Sequence, residues 1–321
     1  TGGNCGNLIA HLPGNREMEA LCFAAHLDQI PPCRNIKAHI DGNLIRTDGT
    51  TTLGGDDKGG IAAILEAVEH VLEEGADHPP LYLLFTVAEE TGLLGAKYLA
   101  PELLPVTSMV ILDAAGPAGI LAYKAPALSS VRMTFKGRKA HAGIEPEKGI
   151  NAIQVAGTAI AGMHTGRMDS ETTVNLGIIG GGTATNVVPD EVVLKAEIRS
   201  HAMEKLQAEL RHMEACCQAA AQKYETRAEF RSELDFPAFE LPRDAHVYQL
   251  AEESFRKAGL KAMPVVTGGG SDANVLSAKG YQCVIISVGM DKVHTVEETL
   301  SIPDLKATVH ALVLMMSGGR G

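Results

Sequence analysis

Positive charge is scarce in this chain. Its net charge is −11 and it has no long run of Lys or Arg, which argues against a nucleic-acid surface, where basic residues cluster. No stretch reaches the roughly 18 apolar residues that a membrane span needs, so no membrane partner is expected. The six cysteines, Cys5, Cys22, Cys33, Cys216, Cys217 and Cys283, form no C-x-x-C pair and no regular framework. That usage suits a reducing cytosol and predicts a cytoplasmic protein. Cys216 and Cys217 fall in a helical pattern, where adjacent residues point apart, so both read as packing residues. Neither an internal repeat nor a low-complexity tract is present. The opening Thr1-Gly2-Gly3-Asn4 lacks the basic start and apolar run of a signal peptide. Apolar Leu8-Ile9-Ala10 follows almost at once, an abrupt beginning that leads us to expect missing upstream sequence.

What remains is enough for two domains: 321 residues, 45% of them hydrophobic. Leu21 to His26 is a short apolar run ending in histidine. From Lys58 to Glu74, the residues Ile61, Ile64, Leu65, Val68, Val71 and Leu72 repeat at helical spacing, and Gly75 is a suitable stop. Residues 81–88 are almost continuously apolar, as in a strand of a parallel sheet buried on both faces. Met109 to Asp113 is another strand, and a helix between two such strands predicts α/β architecture. Near residue 127 the texture changes. An alternating strand at 131–136 precedes a helix at about 149–163 and strands near 173–179 and 191–199, the last two separated by the turn Gly180–Gly182. A helix at about 202–223 and a strand near 226–231 complete the order β-α-β-β-α-β of a ferredoxin-like unit. After Pro237 the α/β texture returns, with a helix at 244–258, the loop Gly268–Gly270 and a strand at 283–288. The fold class is thus an α/β domain with a mostly parallel sheet, 1–126 and 237–321, carrying an inserted ferredoxin-like α+β domain, 127–236.

Acids and histidines stand at the ends of these apolar runs: His26 and Asp28, Asp56 and Asp57, Glu89 and Glu90, Asp113, and His294. Histidine with carboxylate is the ligand set of a hydrolytic metal site, and such groups are costly to bury unless paired or bound to metal. Residues two apart on a strand face the same way, so His26 can bind metal while Asp28 holds it; the plain alternative is a capped loop. Asp56-Asp57 precedes a helix, where one aspartate can simply cap and the other bridge two ions. Adjacent glutamates ordinarily mark a solvated helix face, but Glu89-Glu90 follows a buried strand and precedes Gly92. One of the pair can ligate while its neighbour takes a proton from water. Asp113 lies at a carboxyl-terminal sheet edge, where open α/β sheets keep their sites. A lone histidine such as His294 is more often structural, yet the five positions together suit a two-metal hydrolase.

In this order the residues resemble the M20 family of dinuclear metallopeptidases, most closely its peptidase T-like branch. The matching pieces are Ala25-His26-Leu27-Asp28, Gly55-Asp56-Asp57-Lys58-Gly59-Gly60, Ala88-Glu89-Glu90-Thr91-Gly92, Leu112-Asp113 and Val293-His294-Thr295. The inserted domain adds Ala140-His141-Ala142-Gly143, Asn186-Val187-Val188-Pro189 and Ile198-Arg199. The resemblance implies two divalent ions, zinc first, with cobalt or manganese also suiting the mixed ligands. His26, Asp56 and Asp113 would hold one ion, and Asp56, Glu90 and His294 the other, with Asp56 bridging and Asp57 supporting or capping. It further implies Glu89 as general base, Asp28 orienting His26, His141 stabilising the oxyanion, and Asn186 and Arg199 gripping a small peptide substrate. The loop Gly268–Asp272 would line the cleft. A homodimer through the inserted lid is implied as well. Members of the family usually begin with a helix and a strand ahead of the first stretch seen here.

The expected activity is removal of the N-terminal residue from short peptides, tripeptides above all. The alternatives are an amidohydrolase or carboxypeptidase acting on N-acyl amino acids or dipeptides, and a catalytically silent peptide-binding relative. Against the silent relative, every ligand and base position is occupied by suitable chemistry. Neither Gly180–Gly182 nor Gly268–Gly270 matches a nucleotide-binding loop.

Overall fold

The computed structural model describes residues 3–317, and the chain divides into two compact units. One comprises the residues up to Ala125 together with those from Phe239 onward, and the other is Pro126–Ala238. In chain order the first unit begins with β1 (Leu8–Leu12), β2 (Leu21–His26), β3 (His39–Asp41), β4 (Leu44–Arg46), α1 (Gly55–Glu73), β5 (Leu81–Thr86), α2 (Leu94–Tyr98), β6 (Ser108–Ala115) and β7 (Ile120–Ala125). The second unit holds β8 (Ala127–Lys136), α3 (Ala152–Gly162), β9 (Gly166–Arg167), β10 (Thr172–Gly181), β11 (Glu191–Ser200), α4 (Met203–Lys223) and β12 (Ala228–Phe236). The first unit resumes with β13 (Phe239–Glu240), α5 (His246–Lys257), β14 (Met263–Val266), α6 (Asp272–Ala278), β15 (Gln282–Asp291), β16 (Thr299–Ser301) and α7 (Ile302–Met316).

The centre of the first unit's sheet is parallel, in the order β5-β2-β6-β15. Antiparallel strands extend it on both sides, β1 beyond β5 and β16-β4-β3 beyond β15, so the sheet as a whole is mixed. β7 pairs antiparallel with β15 and carries β13 and β14. Both faces of the parallel strands are covered. Leu21, Phe23, Val110, Leu112, Val284 and Ile286 pack with Ile64 and Val71 of α1, Phe255 of α5 and Leu312 of α7. The alternate residues Cys22, Ala24, Leu84, Met109, Ile111 and Ile285 are buried as well. Burial on two faces is why these strands read as unbroken apolar runs, and each large side chain so buried contributes about 1.5–3 kcal/mol.

The regular part of α1 starts after Asp56 and Asp57, whose backbone is not helical, in agreement with the periodicity from Lys58. Its buried side is Gly60, Ala63, Ile64, Ala67 and Val71, whereas Leu65 and Leu72 are half exposed. The apolar stripe read from the sequence was therefore too wide by about one residue's rotation, because small Gly and Ala carry the contact with the sheet. Gly75 ends the helix with φ +59°, and Ala76 donates its N–H to the Val71 carbonyl, as the left-handed stop requires. No helix among the described residues is long and apolar enough to cross a membrane.

The inserted unit is an antiparallel sheet in the order β12-β8-β11-β10-β9. Its four long strands and two helices have the ferredoxin-like order that the sequence predicts. Val131, Met133 and Phe135 of β8 and Leu194 and Ile198 of β11 face α3 and α4 in one core. Asn151 caps α3, its Oδ1 accepting from the N–H groups of Ile153 and Gln154. The turn expected at Gly180–Gly182 begins later. Gly180 and Gly181 still pair with Val193 and Val192, and a Cβ on Gly181 would lie 2.5 Å from the Glu191 carbonyl. Glycine here permits close strand approach rather than a turn.

Candidate active site

The carboxyl-terminal ends of the parallel strands deliver the site. β2 ends in His26, β5 leads into Glu89 and Glu90, β6 carries Asp113, and β15 leads to His294. The loop entering α1 adds Asp56. Its carboxylate lies between the two imidazoles, with Oδ1 2.9 Å from His26 Nε2 and Oδ2 3.1 Å from His294 Nε2. His294 Nε2 is also 3.1 Å from Glu90 Oε1, and Asp113 Oδ1 is 4.0 Å from His26 Nε2. Asp28 Oδ1 stands 3.5 Å from His26 Nδ1, and its two oxygens accept from the N–H groups of Glu89 and Glu90 at 3.0 and 3.2 Å. One aspartate thereby ties the histidine to the glutamate pair.

The two aspartates in the first turn of α1 have different partners. Asp57 is completely buried; its Oδ2 accepts from His26 N–H at 3.1 Å and its Oδ1 from Gly60 N–H at 3.2 Å. It is therefore a helix cap committed to backbone, although its oxygens also come near those of Asp113 and the His26 ring. Position 60 must be glycine, since a Cβ there would lie 2.4 Å from Asp57 Oδ1 and 2.9 Å from Leu112 Cβ. Ala88 and His294 adopt left-handed backbone, with φ 55° and 65°, at a cost of about 1–2 kcal/mol each. Such strain is retained where surrounding structure fixes a functional residue.

The electrostatics are those of a site short of positive charge. Burial, then the charges of Glu89 and Asp56, push the Asp113 carboxyl well above the usual range. Burial and Asp56 raise Glu90. Glu89 is pushed up to about 8, by burial first and the charge of Asp272 second. Burial opposes a charge on His26, but its hydrogen bonds to Asp28 and Asp56 and the charges of Asp113 and Asp57 outweigh that and raise it strongly. Burial likewise pushes against Asp28, and its bonds to His26 and to Glu89 N–H hold it below the normal value. Ligand atoms of His26, Asp56 and Glu90 all lie within 4.8 Å of one another, and so do those of His26, Asp57 and Asp113. Convergent nitrogen and carboxylate donors, crowded enough to resist ionising together, are the donor chemistry that divalent cations fit.

A cavity of about 300 Å³ opens over this cluster, its lining including Asp56, Glu89, Asp113, His294, Gly269, Gly270 and Ser271. Two further acids belong to the surroundings, Asp272 at the end of the loop expected to line the cleft and Glu298, which sequence reasoning did not single out. Asp272, the first residue of α6, is buried and takes a hydrogen bond from Thr86; burial raises it to about 6. Glu298 is buried against the loop carrying Asp56. His141, Asn186 and Arg199 lie in the inserted unit. His141 and Asn186 are neighbours there, with Ala142 N–H donating to the Asn186 carbonyl at 3.0 Å, and both are exposed. Arg199 is on β11, its Nε 3.0 Å from Glu197 Oε1.

Residues 22–317 match the model of peptidase family M20/M25/M40, and the chain belongs to this family. Within it, the chain is a peptide-bond hydrolase of the peptidase T-like branch. It is 39% identical over 316 residues to the uncharacterised protein YqjE of Bacillus subtilis, covering 98% of this chain and 85% of that one. It superposes on the crystal structure of aminopeptidase PepT from Bacillus cereus with TM-score 0.92 and 37% identity, covering 99% of this chain and 85% of that one. A tripeptidase from Staphylococcus aureus gives TM-score 0.94 and 35% identity, with 98% and 84% covered.

Proposed function

We propose that this protein is a dinuclear metal-dependent aminopeptidase that removes the N-terminal residue from tripeptides. The observation that carries the reading is the carboxylate of Asp56 reaching one histidine with each oxygen, 2.9 Å to His26 and 3.1 Å to His294. His26, Asp56 and Asp113 would hold one ion and Asp56, Glu90 and His294 the other, zinc being the first choice. Bound divalent ions supply Lewis-acid polarisation of a carbonyl and make water a better nucleophile at neutral pH. Glu89 ligates neither ion. It accepts the proton of the attacking water and returns it to the leaving amine; in the ion-free protein burial raises its carboxyl. Bound cations would pull it back toward its ordinary value, which favours the accepting form. Asp28 keeps the His26 ring oriented. His141 stabilises the developing oxyanion, and Asn186 and Arg199 bind the peptide backbone or carboxylate. The names of the aminopeptidase and tripeptidase it resembles support the substrate. The family resemblance supports a homodimer through the inserted unit and a cytoplasmic location.

The test compares hydrolysis of a free-amine tripeptide with that of its N-acetylated counterpart by the zinc-loaded protein. Cleavage of the free peptide alone is expected. Cleavage of the blocked peptide alone would replace this reading with an N-acyl amidohydrolase or carboxypeptidase.

A further inference from the structure

Glu298 stands four residues beyond His294 and leads directly into β16, and its carboxylate binds the loop that enters α1. It is 2% exposed. Its Oε2 accepts from the N–H groups of Leu53 and Gly54, both at 2.8 Å, and its Oε1 accepts from Asp56 N–H at 2.9 Å. A buried carboxylate saturated by three backbone donors is a strong, charge-assisted anchor. Backbone bonds hold the two flanks of this loop, Thr52 N–H to the Pro32 carbonyl and Lys58 N–H to the Gly54 carbonyl, but the N–H groups at its bend, where Gly54 takes φ +76°, go to Glu298. The fit is close: a Cβ on Gly55 would lie 3.1 Å from Glu298 Oε1. The loop so gripped carries Asp56, and the segment that does the gripping carries His294, the residue 3.1 Å from Asp56 Oδ2.

We propose that Glu298 is a positioning residue, a latch that fixes Asp56 against His294 so that the bridging carboxylate is set before any ion arrives. The inference rests on the dinuclear reading above. It makes one glutamate, which touches neither substrate nor ion, responsible for the geometry of both ion sites, since Asp56 is common to the two. Such outer partners are worth about 10- to 100-fold in metal affinity.

The experiment titrates the apoprotein with Co²⁺ and follows its visible d–d absorption, for the natural chain and for Glu298→Gln. Glutamine keeps the size but must turn an amide N–H toward backbone N–H groups. Expected are a Co²⁺ affinity lower by about tenfold or more and an altered d–d spectrum. Circular dichroism of the variant apoprotein should be unchanged, since a merely structural role would disturb folding and leave the spectrum of the bound ion alone. Unchanged affinity and spectrum in Glu298→Gln would overturn the latch while leaving the metal reading intact. Failure of the natural chain itself to take Co²⁺ would overturn both. If Glu298→Gln does not fold, amide exchange in the natural apoprotein decides. The amides of Leu53, Gly54 and Asp56 should exchange slowly and gain no protection on adding Co²⁺; free exchange until Co²⁺ is added overturns the proposal.

Discussion

Carboxylates are treated in opposite ways on the surface of the inserted unit and at the sheet edge that forms the site in the other. In the inserted unit Asp169 and Glu171 meet the Lys205 ammonium at 2.8 and 2.7 Å on the surface, and Lys205 holds Asp169 down to about 2. Lys136 pairs with Glu191 across the open face of the same sheet, and Arg231 lies near Glu229. In the other unit, Asp56, Asp57, Glu89, Glu90, Asp113 and Asp272 gather at one sheet edge with two histidines and no Lys or Arg ion pair among the described residues, and Glu89 rises to about 8. Surface pairs of the first kind contribute little to stability. A buried cluster of the second kind costs stability and persists for what it binds. The contrast separates a region built to fold from one built to react.

The largest expected effect sharpens the reactive side. Glu89→Gln should lower kcat by about a thousandfold, within the usual range for loss of a general base, while metal content measured by mass spectrometry stays at the natural level. Near-normal turnover would remove Glu89 from the reaction. Next comes the cost of the cluster itself. Glu89 has an ordinary value of 4.5 and rises to about 8 in the folded, ion-free protein, and Asp272 rises from 3.8 to about 6. The folded state thus holds these protons more tightly than the unfolded one, and stability falls as pH rises through the interval between the two values. His26, raised above its ordinary 6.5, acts in the same direction at pH values above that. The apoprotein should therefore melt at a lower temperature at pH 8 than at pH 5.5, and saturating zinc should abolish the difference. An apoprotein Tm that is flat or rising over this interval would contradict the picture of an uncompensated anionic cluster. The smallest effect belongs to the inserted unit: Lys205→Ala should leave kcat/KM unchanged and Tm at the edge of detection. A clear loss of activity would show that its surface pairs serve the reaction after all.

The reactive region was also the more legible one in the sequence. His26, Glu89, Asp113 and His294 interrupt or follow apolar runs, and a charge at the end of a buried strand is visible without a structure. The split between Asp56 and Asp57 needed the family resemblance, because both residues suit a helix start; only the hydrogen bonds from His26 N–H and Gly60 N–H make Asp57 the cap. Glu298 left no such trace. Its partners are backbone N–H groups more than 240 residues away in sequence, and a backbone donor has no residue type to recognise. β3 and β4 went unread because three-residue, mostly exposed strands have no alternation to detect. α7 did carry signals, Ser301 as cap and Pro303 in the first turn, and these were there to be used.

The parallel pairing of β6 with β15 joins residues near 110 to residues near 285, with the whole inserted unit translated between them. His26, Asp56, Glu89 and Asp113 are synthesised before the inserted unit and His294 after it, and domains fold as their sequence emerges. A nascent chain thus holds most of the cluster but cannot complete it until β15 has paired with β6 and His294 has followed. Products cut short ahead of β15 would lack both that strand and the histidine it delivers.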